Sequence, residues 1–208
     1  MTEPERLLPV VRGVAETITP LLLLENVPWA VVGSTSSFLN GVPLEPHDVD
    51  ILTTARGARL IDSMLEPWVD QPVTYSGNQL YTSHFGVYEV DGVVVEVMGD
   101  LAIHCRDVSL QVTPQSLVWR RLLQLLVLDQ RVYTVPVPWQ VVGTFVEERL
   151  DRTRLLLRWL ERRGELDEIK DFMDDHGLKG PPRRRLELMI QEVRSASEIA
   201  LGLKGTFW

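Results

Sequence analysis

The chain has 208 residues, of which 45% are hydrophobic and 24% are charged. This length and composition predict one folded domain, or one domain with an appended helical part, and exclude a largely disordered chain. Cys105 is the only cysteine, which excludes a disulfide framework and a cysteine-based zinc site. The net charge of −8 makes long nucleic acid an unexpected partner, because such binding depends on neutralising phosphates.

The charge is divided unevenly along the chain. Residues 1–110 carry 5 Lys and Arg against 15 Asp and Glu, whereas residues 111–208 carry 16 against 14. We expect a cytoplasmic protein with no membrane partner, because no apolar run reaches the length of a membrane span and the chain begins with Glu3 and Glu5 rather than with a basic segment.

An amphipathic helix is predicted over residues 4–18, where apolar residues recur at helical spacing. Pro20 interrupts this helix, and residues 21–24 continue its apolar face. We interpret it as a packing helix that covers a sheet. The next stretch, residues 29–53, predicts a strand, a tight turn, a short helix, a loop and a second strand, and the rest of the chain is organised around it.

The tight turn and the short helix follow from small and polar residues after an apolar run. The first strand covers residues 29–32 and ends at Gly33-Ser34. The side chain of Ser34 or Thr35 can cap the helix by accepting a backbone hydrogen bond. Gly41 follows the last helical residues and favours the helix end.

Two carboxylates lie side by side on the second predicted strand. Successive side chains of a strand alternate between its faces, so Asp48 and Asp50 share one face and Val49 and Ile51 the other. At about 4 Å and an effective dielectric near 20, two such charges repel by roughly 4 kcal/mol. A pair of this kind usually has a cation between its members, and ligands that are all oxygens suit Mg²⁺.

A helix over residues 55–65 leads into antiparallel strands over residues 72–98, with an Asp91-Gly92 hairpin turn. On the last of these strands, Val94, Glu96 and Met98 face one way and the alternate valines face the other. A lone Glu in so apolar a run needs a partner if it is buried. A metal shared with the two aspartates is one interpretation, and a solvent-facing Glu is the other.

The second half of the chain predicts helices for most of its length. Residues 99–112 are interpreted as a loop with at most a short strand. Thr113-Pro114 then favours a helix start, since a cap residue precedes a proline. A short extended piece is expected at residues 132–135. The predicted helices cover residues 113–129, 139–163, 165–176 and 183–201.

The order Gly33-Ser34, Asp48-Val49-Asp50 and Glu96 resembles the signature of the nucleotidyltransferase superfamily. This superfamily has the polymerase-beta-like fold and includes small bacterial nucleotidyltransferases and aminoglycoside adenylyltransferases. Its pattern is an apolar strand, Gly-Ser or Gly-Gly, a gap, Asp-x-Asp between apolar residues, and a third carboxylate on a later strand. Here the gap is residues 35–47, at the long end of the usual range, and the third carboxylate is Glu where Asp is more usual.

The resemblance implies metal-dependent transfer of a nucleoside monophosphate from a nucleoside triphosphate (NTP) to an acceptor hydroxyl, with release of pyrophosphate. Asp48 and Asp50 would hold two Mg²⁺ ions, and Glu96 would complete one of the metal sites and take the hydroxyl proton. Gly33 would let the backbone approach the phosphates, and Ser34 with nearby N–H groups would bind triphosphate oxygens. The expected catalytic and metal-binding residues are therefore Asp48, Asp50 and Glu96, and the expected nucleotide-binding residues are Gly33 and Ser34.

The sequence departs from the superfamily in one respect. Related enzymes often place a Lys against the phosphates on the first long helix after the catalytic strands, and the helix predicted from residue 139 has none. Arg149, Arg152 or Arg154 could take that role, although arginines spread round a helix are more often solvated surface.

We therefore expect an α+β fold: a small mixed β-sheet flanked by helices, with a C-terminal helical bundle. Residues 1–112 would form the catalytic domain and residues 113–208 the helical region. The acceptor could be a small molecule, a protein or an RNA end, and the acidic surface favours a cationic small molecule. The alternative is a non-catalytic module of the same fold that binds nucleotide or a partner protein, as an antitoxin-like protein would. The choice among the four NTPs and the oligomeric state are left open.

Overall fold

The computed structural model describes residues 3–105 and 108–200, which form a central β-sheet with helices on both faces. The helices are α1 (Glu3–Leu24), α2 (Gly33–Leu39), α3 (Ala55–Met64), α4 (Leu117–Arg120), α5 (Val137–Val146), α6 (Leu150–Glu161), α7 (Ile169–Asp175) and α8 (Gly180–Ala200). The strands are β1 (Trp29–Val32), β2 (Val49–Thr53), β3 (Val69–Gly77), β4 (Tyr81–Val90), β5 (Val93–Cys105), β6 (Val108–Gln111), β7 (Leu123–Val127) and β8 (Gln130–Thr134). Short 3₁₀ turns lie at Glu66–Trp68 and Leu166–Glu168.

The sheet is mixed and has the strand order β3-β4-β5-β2-β1-β8-β7, with β6 paired to β5. Its centre contains two parallel pairs, β2 with β5 and β1 with β8, and the remaining neighbours are antiparallel. The β2–β5 register places Asp50 opposite Glu96. This pairing brings two distant parts of the sequence to the same position in the sheet.

Helices cover both faces of the sheet and form two hydrophobic cores. On one face, α1 and α3 bury residues such as Leu7, Ile18 and Ile61. On the other face, helices α5 to α8 pack around residues such as Trp139 and Phe172. The predicted mixed sheet with flanking helices and a C-terminal helical bundle is confirmed, although eight strands make the sheet larger than expected.

Helix α1 is longer and more apolar than expected. It continues through Pro20, and its segment Arg6–Leu24 has 19 residues with a mean hydropathy of 1.6, which by length and composition alone suffices to cross a membrane. The expectation that no run reaches this length was therefore wrong. The apolar stripe of α1, which includes Leu7, Val11 and Ile18, is buried against the sheet, as in the core helix of a globular domain.

The helix predicted over residues 113–129 is wrong. Only the single turn of α4 is helical there, and β7 and β8 form a hairpin whose second strand pairs with β1. The extended piece expected at 132–135 corresponds to β8. Residues of the second half thus contribute to the sheet, and the proposed boundary at residue 112 stays a prediction.

Three other boundaries differ from the sequence-based expectation. The helix predicted over 139–163 is two helices, α5 and α6, separated by an elbow in which Glu148 has a φ of 58°. The loop predicted over 99–112 is mostly strand, because β5 continues to Cys105 and β6 pairs with it. Helix α8 begins at Gly180, so the adjacent prolines lie in its first turn, and the predicted end at Leu201 lies outside the described residues.

The turn that ends α2 and the hairpin turn between β4 and β5 are as predicted. Asn40 is the C-cap of α2, and Gly41 follows with a φ of +85°. Asp91 and Gly92 both have positive φ, as a type I′ hairpin turn requires. The predicted cap of α2 is wrong, because its N-cap is Val32 and no side chain caps it.

Candidate active site

The three carboxylates predicted from the sequence lie on one face of the sheet. Asp50 is on β2, next to Glu96 on the parallel strand β5, and Asp48 comes immediately before β2. Neighbouring strands are about 4.8 Å apart, so the backbone hydrogen bonds set the spacing of Asp50 and Glu96. All three side chains line a cavity of about 410 Å³ between the sheet and helices α5 and α6.

Burial and the repulsion of neighbouring carboxylates raise the pKa values of Asp50 and Glu96. Burial, followed by the charges of Asp48 and Glu96, raises the pKa of Asp50 from 3.8 to about 8. Burial and then the charge of Asp48 also raise the pKa of Glu96. Within the described residues, the cation that opposes this effect at Asp50 is Arg152 on α6. The cavity is therefore a place where added positive charge is favourable.

The side chains suit a divalent cation in chemistry but form only part of its ligand set. Carboxylate oxygens are the ligands that Mg²⁺ prefers, and a cation would relieve the repulsion between Asp48, Asp50 and Glu96. Over residues 3–105 and 108–200, however, no three His, Cys, Asp or Glu side chains are grouped closely enough to hold a metal ion by themselves. A cation here would take further ligands from water or a triphosphate, as Mg²⁺ commonly does.

Gly33 creates the space that the Asp50 carboxylate occupies. Its φ of +71° lies in the left-handed region, and a Cβ atom at this position would lie 2.1 Å from Asp50 Oδ2. The first residue of α2 must therefore be glycine for Asp50 to keep its position. The sequence predicted instead that Gly33 lets the backbone approach phosphates; Gly33 does line the cavity, and that role stays a prediction.

Ser34 and Thr35 hold the segment that carries Asp48. Ser34 is 8% exposed, and its hydroxyl lies 3.4 Å from Asp48 Oδ1. The hydroxyl of Thr35, which is fully buried, donates to the Asp48 carbonyl oxygen at 2.5 Å. These contacts orient Asp48 toward the cavity. Binding of triphosphate oxygens by Ser34 stays a prediction.

The opposite wall carries charged residues that sequence reasoning did not assign to the site. Glu147, at the end of α5, and Arg149, in the elbow, form an ion pair of 3.7 Å, and Arg152 lies in the first turn of α6. All three line the cavity. The third arginine considered, Arg154, is exposed and pairs with Asp151 at 3.5 Å instead. Arg149 and Arg152 therefore lie where they could bind phosphates, and that role stays a prediction.

Glu147 is a partly buried acid with neutralising partners. Burial raises its pKa, while Arg149, a hydrogen bond from the Tyr81 hydroxyl and Arg152 oppose the rise. Burial, and then Glu147, raise the pKa of Tyr81 to about 12, so this hydroxyl stays protonated and keeps donating. The network joins the helical half of the cavity to β4. The sequence signal for this network is the run of acidic and basic residues at 147–152, which falls within the helix predicted over residues 139–163.

Buried hydrogen bonds connect α5 to α2. Gln140, which is 5% exposed and lines the cavity, accepts a hydrogen bond from Ser37 at 2.7 Å and donates one to Ser36 at 3.2 Å. Buried amides and hydroxyls without partners are costly, so this pairing favours one fixed position of α5 against α2. The remaining walls are apolar side chains, such as Phe85 and Trp139, and the turn at residues 76–78.

The fold is that of a nucleotidyltransferase. The Thermotoga maritima protein TM1012, whose own assignment as a nucleotidyltransferase is a proposal, superposes with a TM-score of 0.62 and 28% sequence identity over 78% of this chain and 96% of that protein. Residues 16–149 match the family described as aminoglycoside-2''-adenylyltransferase, and the chain belongs to this family. It is therefore an enzyme of the nucleotidyltransferase type, a class that uses an NTP and generally a divalent metal.

Weaker similarity extends to other solved structures. ANT(2'')-Ia in complex with adenylyl-2''-tobramycin has 11% identity and a TM-score of 0.45 over 89% of this chain and 97% of that protein. An antigenic nucleotidyltransferase-like protein from Paracoccidioides brasiliensis has 18% identity and a TM-score of 0.46 over 98% and 94% of the two chains. No protein with curated annotation matches the chain.

Proposed function

We propose that the enzyme moves a nucleoside monophosphate from an NTP to a hydroxyl group of a small-molecule acceptor and releases pyrophosphate. The observation that carries this proposal is the adjacent placement of Asp50 and Glu96 on parallel strands, beside Asp48, in one cavity. These carboxylates face two arginines across the cavity. An NTP needs both features, since its metal requires oxygen ligands and its phosphates require donors.

Asp48, Asp50 and Glu96 would hold the divalent ions, two Mg²⁺ by resemblance to related enzymes. Bound there, the metal would neutralise negative charge that develops on the phosphate oxygens during transfer. Glu96 is the proposed general base, because burial raises its pKa and so strengthens its affinity for the acceptor proton. The acceptor oxygen then forms a bond to the α-phosphorus, the bond to pyrophosphate breaks, and the proton passes to Glu96.

Arg149 and Arg152 are the proposed binding groups for the triphosphate, with Gly33 and Ser34 on the opposite side. A guanidinium group presents several N–H donors in a plane and matches phosphate oxygens in pairs. Both arginines line the cavity, and Glu147, which accepts a hydrogen bond from Tyr81, pairs with Arg149. The family of this chain is named for adenylyl transfer to an aminoglycoside, which together with the acidic chain makes ATP and a cationic antibiotic the first pair to test.

Transfer of labelled nucleotide tests this function. The enzyme is incubated with Mg²⁺ and each NTP labelled at the α-phosphate, against aminoglycosides, uncharged hydroxylated antibiotics, protein and RNA acceptors. We expect label on a small molecule, with one pyrophosphate released per transfer. Asp50→Asn and Glu96→Gln should lose the transfer. Asp62→Asn is the matched control, because Asp62 accepts hydrogen bonds from Tyr88 and the Val73 N–H rather than facing the cavity.

The same experiment distinguishes the enzyme from a binding module. If an NTP with Mg²⁺ stabilises the protein against heat but no acceptor class takes the label, the proposed transfer is contradicted and a nucleotide-binding module remains. Label on a protein or RNA, with none on small molecules, would contradict the proposed acceptor class alone.

A further inference from the structure

Arg152 differs from the other arginines around the elbow between α5 and α6. Arg149 pairs with Glu147 at 3.7 Å, and Arg154 pairs with Asp151 at 3.5 Å. Among the residues that the structure describes, no carboxylate lies within 4 Å of Arg152, although its half-buried side chain lines the cavity that contains Asp48 and Asp50. Its charge is therefore opposed across the cavity by Glu147, Asp50 and Asp48 rather than by one close partner.

The electrostatic relation between Arg152 and the two aspartates runs in both directions. The charge of Arg152 lowers the pKa of Asp50 against the effect of burial. Burial and the neighbouring Arg149 disfavour the charged form of Arg152, and the charges of Glu147, Asp50 and Asp48, in that order, stabilise it. Since an arginine keeps its charge at any ordinary pH, this countercharge is present whenever the cavity holds no nucleotide.

A guanidinium in this position competes with a metal ion. A divalent cation at Asp48 and Asp50 would be attracted by the carboxylates and repelled by Arg152 across the same cavity. A triphosphate changes this balance, because its oxygens bind the guanidinium and also supply metal ligands that the protein alone lacks.

We propose that Arg152 makes metal binding depend on the nucleotide: in the free enzyme its guanidinium occupies the role of the cation, and the triphosphate draws it away so that metal and nucleotide bind together. This inference rests on the proposed function and adds an order of binding to it. Metal bound without nucleotide is disfavoured, which limits occupation of the site by other divalent ions.

Binding measurements without any turnover test the proposal. Isothermal titration of the full chain with Mn²⁺ alone, and with each NTP in the presence of Mg²⁺, is compared between wild type, Arg152→Gln and Arg152→Lys. We expect Arg152→Gln to bind Mn²⁺ alone at least about tenfold more tightly, a change of about 1.4 kcal/mol, and the NTP at least about tenfold more weakly. Arg152→Lys retains the charge, so its Mn²⁺ affinity should stay close to that of wild type.

Two further variants locate the effect. Arg154→Gln removes an exposed arginine of the same helix that pairs away from the cavity, and it should resemble wild type in both titrations. Adding Asp50→Asn to Arg152→Gln should abolish the gained Mn²⁺ affinity, because the ion then loses a ligand.

The outcomes distinguish a failure of this inference from a failure of the proposed function. Opposite changes in the two titrations support the inference. Unchanged or weaker Mn²⁺ binding in Arg152→Gln overturns it, even if the NTP still binds wild type. Failure of every NTP to bind wild type and Arg154→Gln with Mg²⁺ would instead count against the proposed function itself.

Discussion

Asp50→Asn should stabilise the metal-free protein while it abolishes nucleotidyl transfer. The pKa of Asp50 rises from 3.8 to about 8 on folding, through burial and repulsion by Asp48 and Glu96. A group whose pKa is raised by folding contributes stability that is fully present below pH 3.8 and is lost as the pH rises through about 8. The neutral amide avoids this loss, because it never carries the charge that the cavity disfavours.

The magnitude follows from the size of the pKa change. At about 1.4 kcal/mol per pKa unit, the rise costs the folded state up to roughly 6 kcal/mol above pH 8. Even half of this amount corresponds to a difference in melting temperature of about 6 to 12 °C for a chain of this size. The difference between Asp50→Asn and wild type should be close to zero near pH 4 and should grow until about pH 8.

Thermal denaturation from pH 4 to pH 9 in EDTA measures this difference. Adding Mg²⁺ with NTP at pH 8 should raise the melting temperature of wild type and leave that of Asp50→Asn almost unchanged. Asp62→Asn is the control and should lower the melting temperature instead of raising it. The Asp62 carboxylate accepts hydrogen bonds from Tyr88 at 2.6 Å and from the Val73 N–H at 3.0 Å. A constant difference across pH, or a lower melting temperature for Asp50→Asn at pH 8, would refute the reasoning.

Three further substitutions test the supporting contacts. Gly33→Ala places a Cβ 2.1 Å from Asp50 Oδ2 and should lower kcat/KM by about 100-fold, whereas Gly41→Ala, where the space is open, should change only the melting temperature. Gln140→Leu leaves two buried serine hydroxyls of α2 without their amide partner, so the free energy of unfolding should fall by about 1–3 kcal/mol. The transfer rate of this variant should also fall when it is assayed well below its melting temperature. Tyr88→Phe lies on the opposite face, and urea denaturation should show a loss of about 1–3 kcal/mol with unchanged kcat/KM; unchanged stability would show that its hydrogen bond adds nothing.

The parts of the site that could be predicted from sequence are those that a local sequence pattern determines. The alternation of β2 and β5 fixes which face Asp50 and Glu96 occupy, and the order of the motifs identified the fold. The pattern did not reveal that Gly33 makes room for a carboxylate. That contact depends on the pairing of β1 with β2, which places Asp50 beside Val32.

The β7–β8 hairpin shows why other elements could not be predicted. Leu117, Leu122, Leu125 and Leu126 recur at spacing that fits a helix, and no Gly marks a turn between the strands. The turn is made by Leu128 and Asp129, both with positive φ. The conformational cost of these two positive φ angles is offset by the pairing of β8 with β1, a tertiary contact that overrides helix propensity.

Gly99 and the elbow illustrate the same limit. In the sequence, Gly99 favours the start of a loop, yet it lies inside β5. The residue there is glycine because a Cβ atom would lie 2.7 Å from the Thr54 carbonyl oxygen. The elbow contains no Gly or Pro, and Glu148 adopts a φ of 58° without a sequence signal. Because no local signal marks this break, the sequence places Arg149 and Arg152 on one long helix, where solvated surface is the more common role of an arginine and phosphate binding is the alternative.

Parallel pairing of β2 with β5 separates carboxylates that the backbone positions from cavity walls that side chains form. Main-chain hydrogen bonds, which no side-chain replacement deletes, fix the reacting half, whereas the facing half consists of side chains and a hairpin turn. Under the proposed function, exchanges at Asn78 or Phe85 would alter the shape offered to an acceptor without displacing the acids. If the proposed transfer to a small molecule holds, selection in the laboratory for a new acceptor should therefore accumulate changes at these positions first.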